Sequence, residues 1–491
     1  MLIDLSGLSS FPFVDKNYDV AIAGAGPAGI TLALEFAKAG KKVALFEGGG
    51  LTYDQKSQGL YTLVDDTDNY FSYTRLRYFG GTSNHWAGRC RLPEPIDFEE
   101  RSEIYEESGW PISLEELNQY LDPAKELLEL NGTFAGKPGT QDLPESFYPD
   151  PEQLSSPTRF GQKYLETIKA SDAIDLYINA NLVDIRLDDD LKTISGFVIR
   201  NYEGVQANAS AQQFIVALGA VENARVLLNC DSQVSGGLGN GGDMLGRCFM
   251  EHFNVRLGKF IPLGDAWDGV DSMAFYTSEE FVRESKIGSS NVTMHFSASA
   301  EVDGRGKAVK NFLVERACSW GMEDQLSKLF QFKCPDEGRL SSLTEQDPAK
   351  RNRIYLSQEV DDIGLRKAQI DWYLSDFDKK TIKAVAEEFA VQCLDGDLAR
   401  VKVPDFLFEE SVKLPFYGNG YQVHGHAHHM GGTRMALTEK DGVVDTNCKV
   451  FGTENLFVAG SSIFPRGGAH NPTLPLLQLA LRLSEHMLNK V

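Results

Sequence analysis

The chain has 491 residues, of which 42% are hydrophobic and 24% charged, and its 48 basic and 70 acidic residues give a formal net charge of −22. This composition is typical of a globular protein with two or three domains' worth of hydrophobic core. The acidic balance, with no basic run to offset it, argues against nucleic acid or an anionic membrane as a partner.

The cysteines and the N-terminus indicate the compartment. Seven cysteines are scattered along the chain without a Cys-x-x-Cys pair or a zinc-ligand spacing, which is typical of reduced thiols in a protein core. The first residues lack a basic segment followed by a long apolar one, and no uncharged apolar run approaches the roughly 18 residues that a membrane span needs. We therefore expect a cytoplasmic protein without a membrane span, whose oligomeric state is open.

A strand, a glycine turn, a helix and a second strand are predicted between Tyr18 and Glu47. Gly24, Gly26 and Gly29 give the G-x-G-x-x-G spacing: the first permits a tight turn, the second lets the backbone approach a pyrophosphate, and the third lets helix and strand pack closely. Glu47, at the end of the second strand, is placed to accept hydrogen bonds from ribose hydroxyls. This unit predicts a dinucleotide site, and it suits NAD and FAD equally.

The next segments are less regular. Residues 75–89 form a second glycine-rich loop that contains Gly-Gly-Thr-Ser-Asn-His-Trp. Residues 135–158 hold several prolines and glycines with little periodicity, so we expect a surface excursion there, and a helix is predicted from Phe160 to Ala170.

A meander of strands and then a second domain follow. The last strand of the meander, which ends before Gly219, is expected to be a buried parallel strand that returns to the nucleotide. Residues 255–445 predict a domain of sheet and helix, with an alternating strand at 291–298 and an amphipathic helix at 378–393. The three strand-like runs of the meander are 175–187, 193–201 and 205–218.

Four of the nine histidines lie within six residues, at His424, His426, His428 and His429. Such a cluster could bind a metal, but it contains no carboxylate or cysteine, and the alternation of a strand would divide the side chains between two faces. We therefore expect no metal site. One catalytic histidine, with the others satisfied in the core or on the surface, is the favoured interpretation.

Near the C-terminus an apolar strand ends at Gly460 and Ser461, and Asn471 and Pro472 precede a long apolar helix. An Asn N-cap followed by Pro at the first helical position is a sufficient helix start, so a purely structural interpretation is open. The positive end of that helix would also suit an anionic reduced cofactor.

Together these segments resemble the glucose-methanol-choline (GMC) family of FAD-dependent oxidoreductases, and its sugar-oxidising, pyranose-oxidase-like branch in particular. The resemblance covers most of the chain and is weakest over residues 110–160. The segments that carry it are Gly24 to Glu47, Gly80 to Trp86, the strand before Gly219, Asn352-Arg353, His429-Met-Gly-Gly-Thr433 and Asn471-Pro-Thr473.

The resemblance implies an α/β fold in which an interrupted Rossmann-type FAD-binding domain is joined to an α+β substrate-binding domain of sheet and helices. Residues 1–100, 160–254 and 446–491 would form the FAD-binding domain, and residues 255–445 the substrate-binding domain. Residues 101–159 would form an excursion or lid.

The resemblance also assigns residues to the site. His429 would accept the proton of a substrate hydroxyl while the carbinol hydrogen leaves as hydride to the flavin, and Asn471 would hydrogen-bond the developing alkoxide. His428, the preceding residue, is the alternative candidate for the base. The residues expected at the cofactor are Gly24, Gly26, Gly29, Glu47, Gly81, Thr82, Asn84, His85, Val183, Gly219, Gly460, Ser461, Asn471, Pro472 and Thr473.

Pyranose oxidases carry their flavin covalently on the histidine of a Thr-His-Trp sequence, where this chain has Asn84-His85-Trp86. The His and Trp match and the Thr does not, so a covalent bond to His85 is an alternative and a non-covalent contact is favoured.

The substrate implied is an alcohol, and most directly a hydroxyl of a sugar or glycoside. Two other functions stay open: an NAD-dependent dehydrogenase, which fits Glu47 and the glycines equally well, and an inactive subunit that keeps the FAD fold. The C-terminal strand and helix have no role in the NAD interpretation, and the presence of His429 and Asn471 argues against the inactive subunit. The sequence identifies neither the hydroxyl that is oxidised nor whether oxygen or another acceptor takes the electrons.

Overall fold

The computed structural model describes most of the chain. The described residues are 1–66, 69–101, 109–132, 134, 146–149, 153–263, 272–296, 338–408 and 423–489. Most of the predicted excursion at 135–158 lies outside these ranges, as do Cys318 and Cys334. The other cysteines are buried free thiols, as expected.

The helices within the described ranges are α1 (Pro27–Lys38), α2 (Gln55–Gly59), α3 (Tyr70–Tyr73), α4 (Leu114–Asn118), α5 (Leu121–Leu128), α6 (Phe160–Ala170), α7 (Ala220–Asn229), α8 (Glu279–Ser285), α9 (Asp376–Asp395) and α10 (Thr473–Leu488). Short 3₁₀ turns lie at Gly81–Asn84, Pro95–Phe98, Asp405–Phe408 and Ser461–Ile463.

The strands are β1 (Leu2–Asp4), β2 (Tyr18–Ala23), β3 (Val43–Phe46), β4 (Arg89–Cys90), β5 (Phe147–Pro149), β6 (Gln153–Leu154), β7 (Ile174–Ile178), β8 (Asn181–Leu187), β9 (Ile194–Arg200), β10 (Gln206–Ala209), β11 (Ala211–Val216), β12 (Phe253–Pro262), β13 (Ser272–Thr277), β14 (Ser290–His295), β15 (Gly338–Thr344), β16 (Arg353–Val360), β17 (Arg366–Asp371), β18 (Ala399–Lys402), β19 (Val423–Gly425) and β20 (Leu456–Val458).

A six-stranded parallel sheet in the order β1-β7-β3-β2-β11-β20 carries the nucleotide-binding unit. The α/β fold is therefore confirmed, and β11 is the returning parallel strand that the sequence predicted. The meander differs from the prediction, because two of its three predicted runs are each broken into two strands. Asn179, at the left-handed φ of 54°, separates β7 from β8, a conformation that Asn tolerates better than most residues. At the other break, Ser210 separates β10 of the antiparallel meander from β11.

The C-terminal segment completes this unit. The strand β20 pairs with β11, and α10 packs against α1 from the N-terminal fingerprint. Leu456, Phe457 and Val458 are all buried. Residues more than 400 positions apart in the chain therefore meet at the carboxyl ends of the parallel strands, where open α/β sheets bind their ligands.

A second sheet, whose strand pairs are all antiparallel in the described residues, faces the first unit. Its order is β18-β12-β15-β14-β13-β5, with β19 also paired to β12. The helix α9 packs on it through Ile382, Val385 and Phe389, and begins with a capping box between Ser375 and Asp378, just ahead of the predicted start.

The distribution of strands supports the three-part division as a proposal. All six strands of the parallel sheet come from residues 1–100, 160–254 and 446–491. The second sheet is built almost wholly from residues 253–425, and only β5 comes from the predicted excursion.

The close packing of α1 on β2 gives a first prediction. A Cβ added at Gly29 would lie 1.9 Å from the carbonyl oxygen of Gly24, so Gly29→Ala must shift backbone. We expect this variant to lose about 2 kcal/mol or more of unfolding free energy, measured by urea denaturation.

Gly59→Ala is the matched control, because Gly59 is exposed, has no neighbour within 4 Å of an added Cβ and ends a helix. It should change stability by less than about 1 kcal/mol. Equal effects of the two substitutions would contradict the packing role of Gly29.

Candidate functional site

A cavity of about 800 Å³ lies between the two sheets. Ala23, Phe46 and Ala217, at the ends of the parallel strands, line one part of it, and Asn254 and Ser341 of the second sheet line another. The cavity therefore joins a nucleotide-binding edge to a polar sheet face.

The glycine cradle fits a pyrophosphate. Gly24, at φ 105°, lies so close to the residue after β11 that a Cβ on it would meet the Ala217 carbonyl oxygen at 2.3 Å. No heavy atom lies within 4 Å of a Cβ added to Gly26. The helix α1 starts after Gly26 without a side-chain cap, which leaves its first N–H groups for an anion. The second loop closes over the first, since Gly80 donates its N–H to the Ala25 carbonyl at 2.8 Å.

Glu47 lies on the cavity wall and is buried. Its two carboxyl oxygens accept the N–H groups of Ala25 at 3.1 Å and Gly49 at 2.8 Å. Burial raises the pKa of Glu47, while these hydrogen bonds and the nearby Arg77 oppose that rise. Each carboxylate oxygen can accept a further hydrogen bond, so ribose hydroxyls can still bind there.

Most of the predicted cofactor residues line the cavity, and three do not. Gly29 packs helix on strand, as described above. The Asn84 amide turns back to donate to the Phe79 carbonyl oxygen at 3.0 Å. Val183 lies at a separate cavity of about 310 Å³, because alternation along β8 places Leu182 on the main wall instead. Those on the wall are Gly24, Gly26, Glu47, Gly81, Thr82, His85, Gly219, Gly460, Ser461, Asn471, Pro472 and Thr473.

The start of α10 differs from the structural interpretation of Asn471 as N-cap. The helix begins at Thr473, Pro472 occupies the cap position, and no side chain caps the helix. Asn471 thus lies one position outside the cap, and it lines the cavity. Its amide is available to a ligand rather than engaged in helix capping.

The histidine cluster divides into two groups, as predicted, but not by strand alternation, because β19 ends at Gly425 and Ala427 has a left-handed φ of 60°. His424, His426 and His428 stack, with ring centroids 6.3 Å and 5.7 Å apart and planes about 22° from parallel. His429 also lines the cavity, but its ring is not part of this stack and packs against aromatic rings, among them Phe71 at 5.3 Å. In the part of the chain that the structure describes, no His, Cys, Asp and Glu side chains are grouped to hold a metal ion.

His428 has one ring nitrogen engaged and one open to the cavity. Its Nδ1 lies 2.8 Å from Nδ1 of His252, and its ring lines the cavity. Burial, and then the neighbouring imidazoles of His252 and His426, hold the pKa of His428 well below its usual value. The ring is therefore neutral near neutral pH.

His429 is engaged on a buried carboxyl group. Its Nε2 lies 3.2 Å from Glu251 Oε2 and 3.4 Å from the Thr74 hydroxyl. Glu251 also accepts a hydrogen bond from the hydroxyl of Tyr70 at 2.9 Å and one from the backbone N–H of His428. Burial raises the pKa of Glu251 to about 8 and lowers the pKa of His429 to about 3, which keeps both groups neutral near neutral pH.

A buried ion network forms part of the cavity wall. Glu222 accepts Arg75 Nη1 at 2.8 Å and Arg225 Nη1 at 3.1 Å, and Arg225 also pairs with Asp361. Burial opposes ionisation of Glu222, but Arg225 and Arg75 hold its pKa below the ordinary value. The network links Arg75, in the loop that precedes Gly80, to Glu222 and Arg225 on α7.

Sequence reasoning missed this network and the polar sheet face. The face presents neutral amide, hydroxyl and imidazole groups to the cavity. For three of them the signal was available, because the alternating strand predicted at 291–298 carries polar side chains at every second position. The residues of the face are Asn254, Asn291, Thr293, His295, Ser341 and Ser342.

Comparisons with known proteins agree with this architecture. A family described as FAD binding domain matches residues 19–80, and a family described as GMC oxidoreductase matches residues 348–480. The 2-methyl-1,2-propanediol dehydrogenase of Mycolicibacterium austroafricanum is 22% identical over 96% of this chain and 95% of its own length. The C-glycoside 3-oxidase of Microbacterium trichothecenolyticum is 30% identical over 30% of this chain and 26% of its own.

Solved structures show the same fold. Pyridoxine 4-oxidase from Mesorbium loti superposes with a TM-score of 0.57 at 16% identity, covering 96% of this chain and 99% of its own. The formate oxidase of Aspergillus oryzae gives 0.56 at 15% identity, with 97% and 98% covered.

Fold and site together define an FAD-dependent oxidoreductase. The chain is similar to the glucose-methanol-choline oxidoreductases over residues 348–480, its cofactor is FAD, and it is an alcohol or sugar oxidoreductase. No helix among the described residues is long and apolar enough to cross a membrane.

The ion network gives a second prediction. Glu222→Gln removes the carboxylate that Arg75 and Arg225 share, so the buried Arg75 loses its carboxylate partner and Arg225 keeps only Asp361 among the described residues. We expect a loss of about 3 kcal/mol of unfolding free energy, measured by urea denaturation.

Glu166→Gln is the control, because the Glu166–Lys169 pair is exposed, and it should cost less than about 1 kcal/mol. A Glu222→Gln variant as stable as this control would contradict a structural role for the network.

Proposed function

We propose that this protein oxidises a hydroxyl of a sugar or glycoside to a carbonyl, with His428 as the base. The observation that carries the proposal is the His428 imidazole, which lines the FAD cavity with its Nδ1 held by His252. Among the described residues, no hydrogen-bond partner is seen for its Nε2. That nitrogen is therefore available to a substrate.

Bound FAD supplies the two-electron acceptor that takes the carbinol hydrogen as hydride. His428 Nε2 accepts the hydroxyl proton, and the Asn471 amide donates a hydrogen bond to the oxygen as negative charge develops. Since its pKa is depressed, His428 is unprotonated and competent as a base across the neutral range. The two side chains line the same cavity from opposite ends of the C-terminal segment.

His428 replaces His429, to which the resemblance assigned this role. Nε2 of His429 already lies against Glu251 and Thr74, and the ring packs among aromatic side chains. We propose that His429 holds the backbone of the cluster through Glu251, which also accepts the N–H of His428.

The polar sheet face supports a polyhydroxylated substrate. Asn254, Asn291 and Ser341 offer amide and hydroxyl groups that can each bond a sugar hydroxyl. The names of two relatives, C-glycoside 3-oxidase and fructose dehydrogenase large subunit from Gluconobacter japonicus, agree with this class.

We propose that FAD is held without a covalent bond. His85 lines the cavity and can contact the flavin ring, but the neighbouring Asn84 is turned away. Acid precipitation of the purified protein should therefore leave the flavin in the supernatant, and flavin in the pellet would show a covalent link. The electrons then leave to oxygen or another acceptor, which turnover with and without air distinguishes.

The third prediction tests the base. Purified wild-type protein, kept anaerobic, is mixed with glucose, fructose, methyl glucoside, a C-glycoside or 2-methyl-1,2-propanediol, and loss of flavin absorbance is followed. At least one sugar should bleach the wild type. His428→Asn should retain FAD but be reduced at least about 100-fold more slowly, because the proton acceptor is gone.

His429→Asn is the matched control, and it should lose less than about tenfold in the same assay. The reverse order of the two variants would assign the base to His429. Protein that contains FAD but is bleached by no compound would favour the inactive-subunit interpretation.

A further inference from the structure

A second histidine, His252, lies directly behind His428 and does not line the cavity. Its side chain is fully buried. Its Nδ1 is 2.8 Å from His428 Nδ1, and its Nε2 is 2.8 Å from the carbonyl oxygen of Gly468. The two imidazoles are nearly perpendicular, at 84°. His252 thus links the base to the C-terminal segment that carries Asn471.

The proton positions in this chain follow from the identity of the groups. A carbonyl oxygen only accepts, so Nε2 of His252 must carry a hydrogen and donate it to Gly468. A neutral imidazole has one N–H, so Nδ1 of His252 is bare and accepts. The hydrogen between the two Nδ1 atoms therefore belongs to His428, which leaves Nε2 of His428 without a proton.

Gly468, the last member of this series of hydrogen bonds, is itself held in place. Gly468 donates its N–H to Glu345 Oε1 at 3.2 Å, and Glu345 forms a fully buried pair with Arg466, with Nη2 and Oε2 2.9 Å apart. Arg466 also donates to the Ile96 carbonyl oxygen at 2.7 Å. The Gly468 carbonyl is thus part of a buried network and keeps its direction toward His252.

Resting on the proposed function, we propose that His252 is a positioning residue that fixes the tautomer of His428 and so keeps the basic Nε2 directed at the substrate hydroxyl. In the reaction the hydroxyl proton moves to His428 Nε2 while the hydride pair leaves to FAD. The resulting imidazolium keeps its Nδ1–H bonded to His252. The bare Nδ1 of His252 accepts this hydrogen bond and so stabilises the new positive charge. An aspartate behind a catalytic histidine acts in the same way in serine hydrolases.

The neutral state on which this depends is favoured by the surroundings. Burial, and then the charge that His470 would add, lower the pKa of His252 to about 4. His252 is thus a neutral acceptor at working pH and not a second cation beside the base.

The fourth prediction compares two kinds of substitution at His252. His252→Phe keeps a ring but removes the acceptor, and His252→Asn loses volume but places an amide oxygen near the former Nδ1. We expect the rate of anaerobic flavin reduction, with the panel sugar that reduces the wild type fastest, to fall about 100-fold in the Phe variant. The Asn variant should stay within about tenfold of the wild type, and half-saturating sugar concentrations should change less than about threefold.

A residue that only fills the core would give the opposite order, because Phe conserves packing better than Asn. That order would overturn the proposal. Bound FAD and thermal unfolding are measured for each variant, and His252→Leu replaces His252→Phe if the latter does not retain FAD. His424→Phe, which changes an exposed histidine of the same stack, should reduce at the wild-type rate.

A double variant separates this inference from the proposed function. If His252 acts through His428, adding His252→Phe to His428→Asn should slow reduction by no more than about twofold further, and additive losses would contradict the relay. A His428→Asn variant with normal reduction would overturn the proposed base itself. An inactive His428→Asn beside a normal His252→Phe would overturn only the role of His252.

Discussion

The parallel pairing of β11 with β2 on one side and β20 on the other is the constraint on which the site depends. It brings Val216 beside Ala23 and Val458, so the strand before Gly219 and the strand before Gly460 end at one edge with the glycine fingerprint. That edge collects the unpaired N–H groups of α1 and the residues ahead of α10. A cofactor bound there spans segments that are hundreds of residues apart.

Around this edge, the buried ion pairs of the described residues compensate one another's charge. Glu222 is shared by two arginines, Glu345 is paired with Arg466, and the imidazoles near the cavity are kept neutral by burial. Leaving a charge unpaired in such a place is costly. The site therefore combines paired charges, such as Glu222 with Arg75, in one part of its wall with neutral imidazoles in another, which suits a reaction that creates one transient imidazolium.

The parts of the fold that depend on residues close together in sequence could be predicted. The bounds of α6 agree with the predicted helix, Gly24 has the positive φ of a tight turn, and Gly29 packs helix against strand, as their spacing indicates. The sequence predicted that the histidines divide between two groups, but not that members of both groups line the cavity, because that depends on β19 pairing with β12. Arg75, which pairs with Glu222, and His428, which contacts His252, lie more than 100 residues from these partners in sequence, so no local pattern predicts either contact.

A crystal structure of the FAD-loaded protein with a bound sugar tests the central claim most directly. The account predicts the pyrophosphate against Gly26, His428 Nε2 within hydrogen-bond distance of a sugar hydroxyl, and His252 still bonded behind it. A sugar hydroxyl bonded to His429, with His428 turned away from the flavin, would contradict it.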